Sequence, residues 1–426
     1  MHPSFLRVAA VGATLAALPL GCATARREGP SAAKDTGENA VAPLAPDRAL
    51  TPDDAAARAI AVSPRLRALA LRLDASTRRV AAVSAPPDPS IAISLGVPID
   101  GLGGLPISVS IMEGLGWLLT ADALRTSAGR ERDASAEELV NATVEVAAEA
   151  RRATRALHAA REQLAAEERN VVARGEGVAI ERAAQGLGES TAERVAAAER
   201  ELMLARLDRA EARAMLDELE AAAMSVLAVE VAPAIDAVAG TELPQSIRPS
   251  LDVIRARARL ARAESAFAVA QNPLGSSAAA GAGYSRDVED RESINGTVEF
   301  ALPIFRRTHE LEALRAEVEA ERAELAEAER LSALSLAQAH AALEGARTAL
   351  AATEEGAAAA ERVRAALERA AREGEATRAA LVAATAASED LRARVAMRRI
   401  ALANALARIE SRASDAALQS SRGETP

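Results

Sequence analysis

The chain says nearly the same thing twice. Ser63-Pro64-Arg65-Leu66 opens one apolar-periodic stretch and Arg248-Pro249-Ser250-Leu251 opens another, with the two prolines 185 residues apart (249 − 64). Further on, Gly188-Glu189-Ser190-Thr191 returns as Gly374-Glu375-Ala376-Thr377, at an offset of 186 (374 − 188). Two landmarks at one offset imply two copies of a single unit, each far longer than a solenoid repeat. A chain built this way has an internal pseudo-twofold relation, and its function must come from a doubled shape.

The length of 426 residues would suit two or three ordinary domains, but the composition does not. Half of the residues are hydrophobic, yet aromatics are only 1% and alanine supplies much of the rest. Compact interiors pack at near-crystal density and need large side chains to fill them. An alanine-rich chain punctuated by leucine and decorated with Arg and Glu suits long, closely packed helices instead. The net charge of −10 leaves no dominant basic face, which argues against a nucleic-acid partner. Lys34 is the only lysine, so nearly all positive charge is arginine.

The N-terminus reads as a processing signal. Arg7 precedes an apolar run from Val8 to Leu20, followed by Gly21-Cys22, so residues 1–21 are expected to be a secretory signal peptide. The lone cysteine after a small residue resembles a bacterial lipoprotein cleavage site, which makes Cys22 the expected lipid anchor and residues 22–49 an extended, lipidated tether. A single cysteine leaves no internal disulfide. No other stretch reaches 18 apolar residues, so a membrane crossing would have to use strands.

Residues 50–232 form the first expected repeat. Thr51-Pro52-Asp53-Asp54 is a strong helix start, with a hydroxyl cap, proline in the first turn, and acids at the positive end of the dipole. Pro86-Pro87-Asp88-Pro89 ends the helical stretch that follows. The period then changes to two: Ile91, Ile93, Leu95 and Val97 alternate with small residues, and Ile107, Val109 and Ile111 alternate with serines. This predicts a β-hairpin over 90–112 with one apolar face and one face of small polar residues. A helix is expected from about Ala121 to Ala184 and a return helix from about Ser190 to Val229, with the tip near 188. Residues 233–247 read as a linker. Residues 248–412 repeat the order: a helix, a hairpin over 278–302 joined by the charged loop 286–292, and a helical hairpin with its tip near 374. Residues 413–426 read as a polar tail.

The fold expected is therefore mainly α with a small β part, a duplicated unit of strand pair plus long helical hairpin. Four strands cannot close a membrane barrel, because known barrels need about eight or more. Open edges cannot exist in lipid, so several chains would have to pool their strands, and three would supply about twelve. The scarce aromatics Trp117, Tyr284, Phe300 and Phe305 fall in or beside the strands, where interfacial anchors would sit.

At this point the chain resembles the bacterial outer-membrane factors, the TolC-like channels of tripartite efflux pumps and type I secretion. The residues that carry the likeness are Leu50-Thr51-Pro52-Asp53-Asp54-Ala55, Ser63-Pro64-Arg65-Leu66-Arg67-Ala68, Leu302-Pro303-Ile304-Phe305 and the two Gly-Glu-x-Thr turns. Residues 111–118 stand where such proteins usually carry a proline-aromatic strand ending. The resemblance implies a homotrimer with a shared β-barrel in the outer-membrane lipid and a trimeric α-helical tunnel in the periplasm. It also implies a passive conduit that works with a periplasmic adaptor protein and an inner-membrane pump. Carried over, Gly186, Gly188, Ser190, Gly374 and Thr377 become candidate adaptor-contact or tip residues.

Enzyme readings have little to stand on. His158, His309 and His340 sit singly in helical, charged surroundings with no metal-ligand spacing, and Gly101-Leu102-Gly103-Gly104 reads as a hairpin loop rather than a phosphate cradle. No catalytic residue, metal site or cofactor is expected. The rival is a periplasmic adaptor-like or coiled-coil scaffold lipoprotein without a pore. An adaptor has one helical hairpin within a larger β-rich portion, whereas this chain has two hairpins and two strand pairs.

Overall fold

A computed structural model of the chain describes residues 49–86, 88–95, 107–114, 116–235, 247–272, 278–287, 291–300 and 307–412. In chain order the elements are α1 (Pro52–Val62), α2 (Pro64–Ser84), β1 (Ser90–Leu95), β2 (Ile107–Gly114), α3 (Gly116–Gly186) and α4 (Ala192–Leu227). Then follow α5 (Leu251–Gln271), β3 (Ala278–Arg286), β4 (Glu292–Phe300), α6 (Arg307–Arg372) and α7 (Arg378–Glu410). The architecture is mainly α with one small antiparallel sheet. The signal segment, Cys22, the loop 96–106, Phe305 and the tail 413–426 lie outside the described residues.

Local chemistry sets the element ends. Thr51 and Asp54 form a reciprocal capping box at α1. Ser63 accepts from the Leu66 amide at the start of α2, with Pro64 in the first turn. At the far end, α3 and α6 each stop in a Schellman motif. The Glu189 amide donates to the Ala184 carbonyl and the Glu375 amide to the Ala370 carbonyl, with Gly188 (φ 78°) and Gly374 (φ 80°) in the left-handed region. Thr191 and Thr377 then cap α4 and α7 by accepting from the amides three residues on.

Several boundaries differ from the sequence expectation. The long first helix begins at Gly116 rather than near Ala121, so Trp117 lies in its first turn, just beyond the end of β2. Tertiary contacts hold that start: the Trp117 indole Nε1 donates to the Val83 carbonyl (3.4 Å), and the Arg125 guanidinium lies 5.5 Å from the ring centre. Arg286 and Glu292, expected in a loop, face each other as the last pair of the β3–β4 ladder, where opposite charges stabilise the pairing. The fourth strand accordingly begins at Glu292, within the expected loop 286–292, and runs to Phe300.

The helices pack in two tiers. Helices of 71 and 66 residues, α3 and α6, extend about 105 and 100 Å at 1.5 Å per residue. In the tier near the sheet, α2 packs on α3, and α5 lies between α3 and α6. In the tier near the tips, α4 packs on α3, and α7 lies between α3 and α6. The α3–α4 core is Ala153, Leu157, Ala160 and Leu164 against Ala212, Leu216 and Ala223.

A second stripe of α3 belongs to the α7 contact. Ala156, Ala159, Gln163, Ala166, Asn170 and Ala173 are buried at alternating three- and four-residue steps that end at Gly177, where an added Cβ would lie 3.8 Å from Val382. On α7 the same rhythm runs through Val382, Ala386, Glu389, Ala393, Ala396, Ile400, Ala403 and Ala407. This is the 3.5-residue period that keeps two helices in register as a left-handed pair, and small residues allow close approach. Charged pairs flank the seam: Arg399–Glu162 (2.8 Å), Arg169–Glu389 (2.9 Å) and the buried Arg155–Glu410 (2.9 Å).

Arg155 and Glu410 are 9% and 7% exposed, so removing one charge leaves the other buried without its partner. Glu410→Ala is expected to destabilise the folded protein by about 3–5 kcal/mol, whereas the double replacement Arg155→Met with Glu410→Met stays near neutral. Urea unfolding in detergent, followed by circular dichroism, measures both.

Candidate functional site: the exposed sheet and the helical tips

The strand order is β1-β2-β3-β4, antiparallel throughout, so β2–β3 pairing joins the two repeats and leaves β1 and β4 as open edges. Residues opposite one another in an antiparallel ladder share a face. One row across all four strands is Ile93, Val109, Tyr284 and Ile294; its neighbours in the stack are Ile91, Ile111, Ala282 and Gly296, then Leu95 and Ile107. The next residue along each strand falls on the other face. There the rows are Ser94, Ser108, Ser285, Ser293, then Ala92, Ser110, Gly283, Asn295, then Ser90, Met112, Gly281, Thr297.

The apolar face is uncovered. Ile93 is 65% and Ile294 85% exposed, with Ile91, Leu95, Ile111 and Val298 similarly open. The face ends in charge: Arg286 and Glu292 lie toward the hairpin loops, and Glu113, opposite Ala280, lies toward the helices. The small polar face satisfies itself, with Ser94–Ser108 (2.6 Å) and Ser285–Ser293 (2.7 Å) bonded across strands and the Asn295 amide donating to both Ser285 and Ser293. Gly281 permits the β2–β3 approach, because a side chain there would collide with the Ile111 carbonyl and the Met112 side chain.

An apolar exposed face, a hydroxyl-bearing opposite face and two unpaired edges leave this sheet with a large uncovered apolar surface and two rows of open backbone groups. Among the described residues no helix is long and apolar enough to cross a membrane. Tyr284 stands 40% exposed on the apolar face, the Phe300 backbone ends β4, and Trp117 is partly buried at the start of α3.

The opposite pole carries the other candidate residues. Gly186 ends α3, Gly188 and Gly374 make the left-handed turns, and Thr377 caps α7. Ser190 is engaged with the Glu181 carboxylate, so its hydroxyl braces the turn. The structural partner of Thr377 is Thr191, which the sequence reading did not single out. It also missed Leu187, an apolar side chain 77% exposed on the first tip. A lone leucine between two glycines was the available signal. His158 pairs with Glu162 (3.5 Å) and is only partly exposed, and no group of metal ligands occurs among the described residues.

Between the poles two carboxyls lie in opposite environments. Glu361 on α6 accepts from Arg364, from the Ser388 hydroxyl and from Arg392, which hold its pKa down to about 2. Glu167 on α3 is 6% exposed; burial pushes its pKa up, the Asn170 amide at 3.4 Å partly offsets this, and Asp208 and Asp390 add to it against Arg394.

The chain matches no protein-family model and no curated protein sequence. Solved structures do share its fold. A membrane protein from Pseudomonas aeruginosa superposes with a TM-score of 0.64 at 18% identity, covering 84% of this chain and 92% of that chain. The open state of the MtrE outer-membrane channel of Neisseria gonorrhoeae gives 0.67 at 15% identity, over 84% and 88%. The outer-membrane protein VceC of Vibrio cholerae gives 0.61 at 17% identity, over 84% and 96%.

The two carboxyls predict opposed responses to acid. Glu361 has a folded pKa below its unfolded value, so its contribution is present above about pH 4.5 and is lost as pH falls toward about 2. Glu167 has a folded pKa above its unfolded value, so the folded state binds the extra proton and is weakened as pH rises from about 4.5 through that raised value. Glu167→Gln is therefore expected to raise the thermal midpoint at pH 7 and to lose that advantage near pH 4. Melting curves across pH 3–8 check both.

Proposed function

We propose that this chain is one subunit of a homotrimeric outer-membrane channel, a passive conduit from periplasm to exterior in a tripartite efflux or type I secretion system. The observation that carries the reading is the four-stranded sheet, apolar and exposed on one face and hydroxyl-lined on the other, with open edges at β1 and β4. Three copies would supply twelve strands, each edge meeting the neighbour's. The lateral sides of the helical part are open in the same sense. Met203, Leu204 and Leu207 stand exposed on α4, and Leu331 and Leu334 on α6, on the two helices that flank the α3–α7 pair. Long antiparallel helices with solvated charged faces then continue the barrel as a tunnel. The fold shared with known outer-membrane channels supports the same assignment.

Cys22, after the signal segment, is the proposed acylation site that anchors the chain at the inner leaflet of that membrane. The two tips, with Gly186, Gly188, Ser190, Gly374 and Thr377, are the proposed contact with a periplasmic adaptor. Leu187, 77% exposed on the first tip, is the proposed apolar point of that contact. The energy source and the choice of substrate lie with an inner-membrane pump joined through that adaptor.

Ile93→Arg puts a charge in the middle of the apolar face, at about 2–4 kcal/mol per site in a bilayer. It is expected to abolish heat-modifiable trimers in outer-membrane fractions, while Ser110→Arg on the other face leaves them intact. A soluble monomeric mature form, or equal behaviour of the two variants, would overturn the barrel. At the tips, Leu187→Arg should cut crosslinking to the co-expressed adaptor about tenfold, the effect of losing ~1.4 kcal/mol of contact; unchanged crosslinking would remove Leu187 from the interface.

A further inference from the structure

The hydroxyl-lined face of the sheet carries one charge. Glu299 on β4 pairs with Ala279 on β3, and Ala279 pairs with Gly114 on β2, which places all three on the face of the serine rows. Every other described strand residue on that face is uncharged. Its row neighbours have nothing larger than a methyl group, so the exposed carboxylate stands clear of the wall. Glu113 makes the contrast: its partner is Ala280, one residue further on, and it therefore belongs to the apolar, outward face.

We propose that Glu299 sets the charge selectivity of the conduit, favouring cationic and neutral solutes over anions. The proposal rests on the channel reading above. If three copies close a barrel with the apolar face outward, Glu299 from each enters one ring at the helix-side mouth of a neutral wall. Rings of carboxylates select cations by raising their local concentration and excluding anions, and a low-dielectric wall focuses that field. The serine, threonine and asparagine rows beyond it solvate a passing molecule through hydroxyl and amide dipoles without preference for sign. A potential of about 1 kT at the ring, low for a charged cleft, would multiply the cation-to-anion ratio about sevenfold.

Purified full-length trimer in planar bilayers under a potassium chloride gradient gives the ratio from the reversal potential. The wild type is expected to prefer potassium. Glu299→Gln should lower the ratio severalfold and Glu299→Lys should push it toward chloride, while Glu113→Gln on the outward face leaves it unchanged. Conducting Glu299 variants with the wild-type ratio would overturn the proposal and leave the channel standing. A wild type that assembles but does not conduct would overturn the channel reading and this one with it. Should Glu299→Lys fail to assemble, the near-isosteric Glu299→Gln decides.

Discussion

The closeness of α3 to α7 is the constraint from which the rest of the molecule follows. α3 belongs to the first repeat and α7 to the second, and alanines at a 3.5-residue period let them meet along Ala156 to Gly177. That seam joins the two repeats along the tip-side tier, as α3–α5 packing and β2–β3 pairing do toward the sheet. With it, α4 and α6 are fixed on either side, and β2 and β3 arrive close enough to pair at the other end. Alanine contributes little burial per residue, so the seam depends on length rather than on any one large side chain. Its polar members then set alignment. Arg155–Glu410 and Arg169–Glu389 each bind one repeat to the other at a defined height, and sliding by a turn would leave buried charge unpaired.

The remaining charges are mostly solvent-facing pairs, each worth little alone. Their distribution still matters. Pairs such as Arg259–Glu321 and Arg255–Glu138 bind α5 to α6 and to α3, while Arg161–Glu220 binds α3 to α4. Arginine suits this use, because its guanidinium reaches two acceptors at once: Arg259 meets both Glu321 and Glu324, and Arg399 meets both Glu162 and Glu354. Glu361 and Glu167 mark the extremes, one surrounded by donors and one buried beside Asp208 and Asp390.

Much of this was readable from the residues because the signals were local. Ser63-Pro64, the Gly-Glu-x-Thr turns and the alternation through Ile91–Leu95 each fix backbone geometry within a few positions. What escaped was set by distant partners. Trp117 joined a helix because Val83 and Arg125 hold it there. Arg286 and Glu292 joined a ladder because they face each other. Nothing in the local pattern says that Gln163, Glu167 and Asn170 are buried, since α3 has packing neighbours on several sides and its polar residues are spread around it. The side of the sheet taken by Glu299 likewise needed the register, as a shift of one residue reverses every face.

The β2–β3 pairing also bears on how the molecule is made. Ile107 and Arg286 are partners across 179 positions (286 − 107), so the four-stranded sheet cannot be completed until the first helical hairpin and the chain beyond it have been synthesised. Contacts of such sequence separation form late, after local helices have shortened the effective loop. The exposed apolar face is thereby among the last surfaces to be assembled, after the long helices that bring its two halves together.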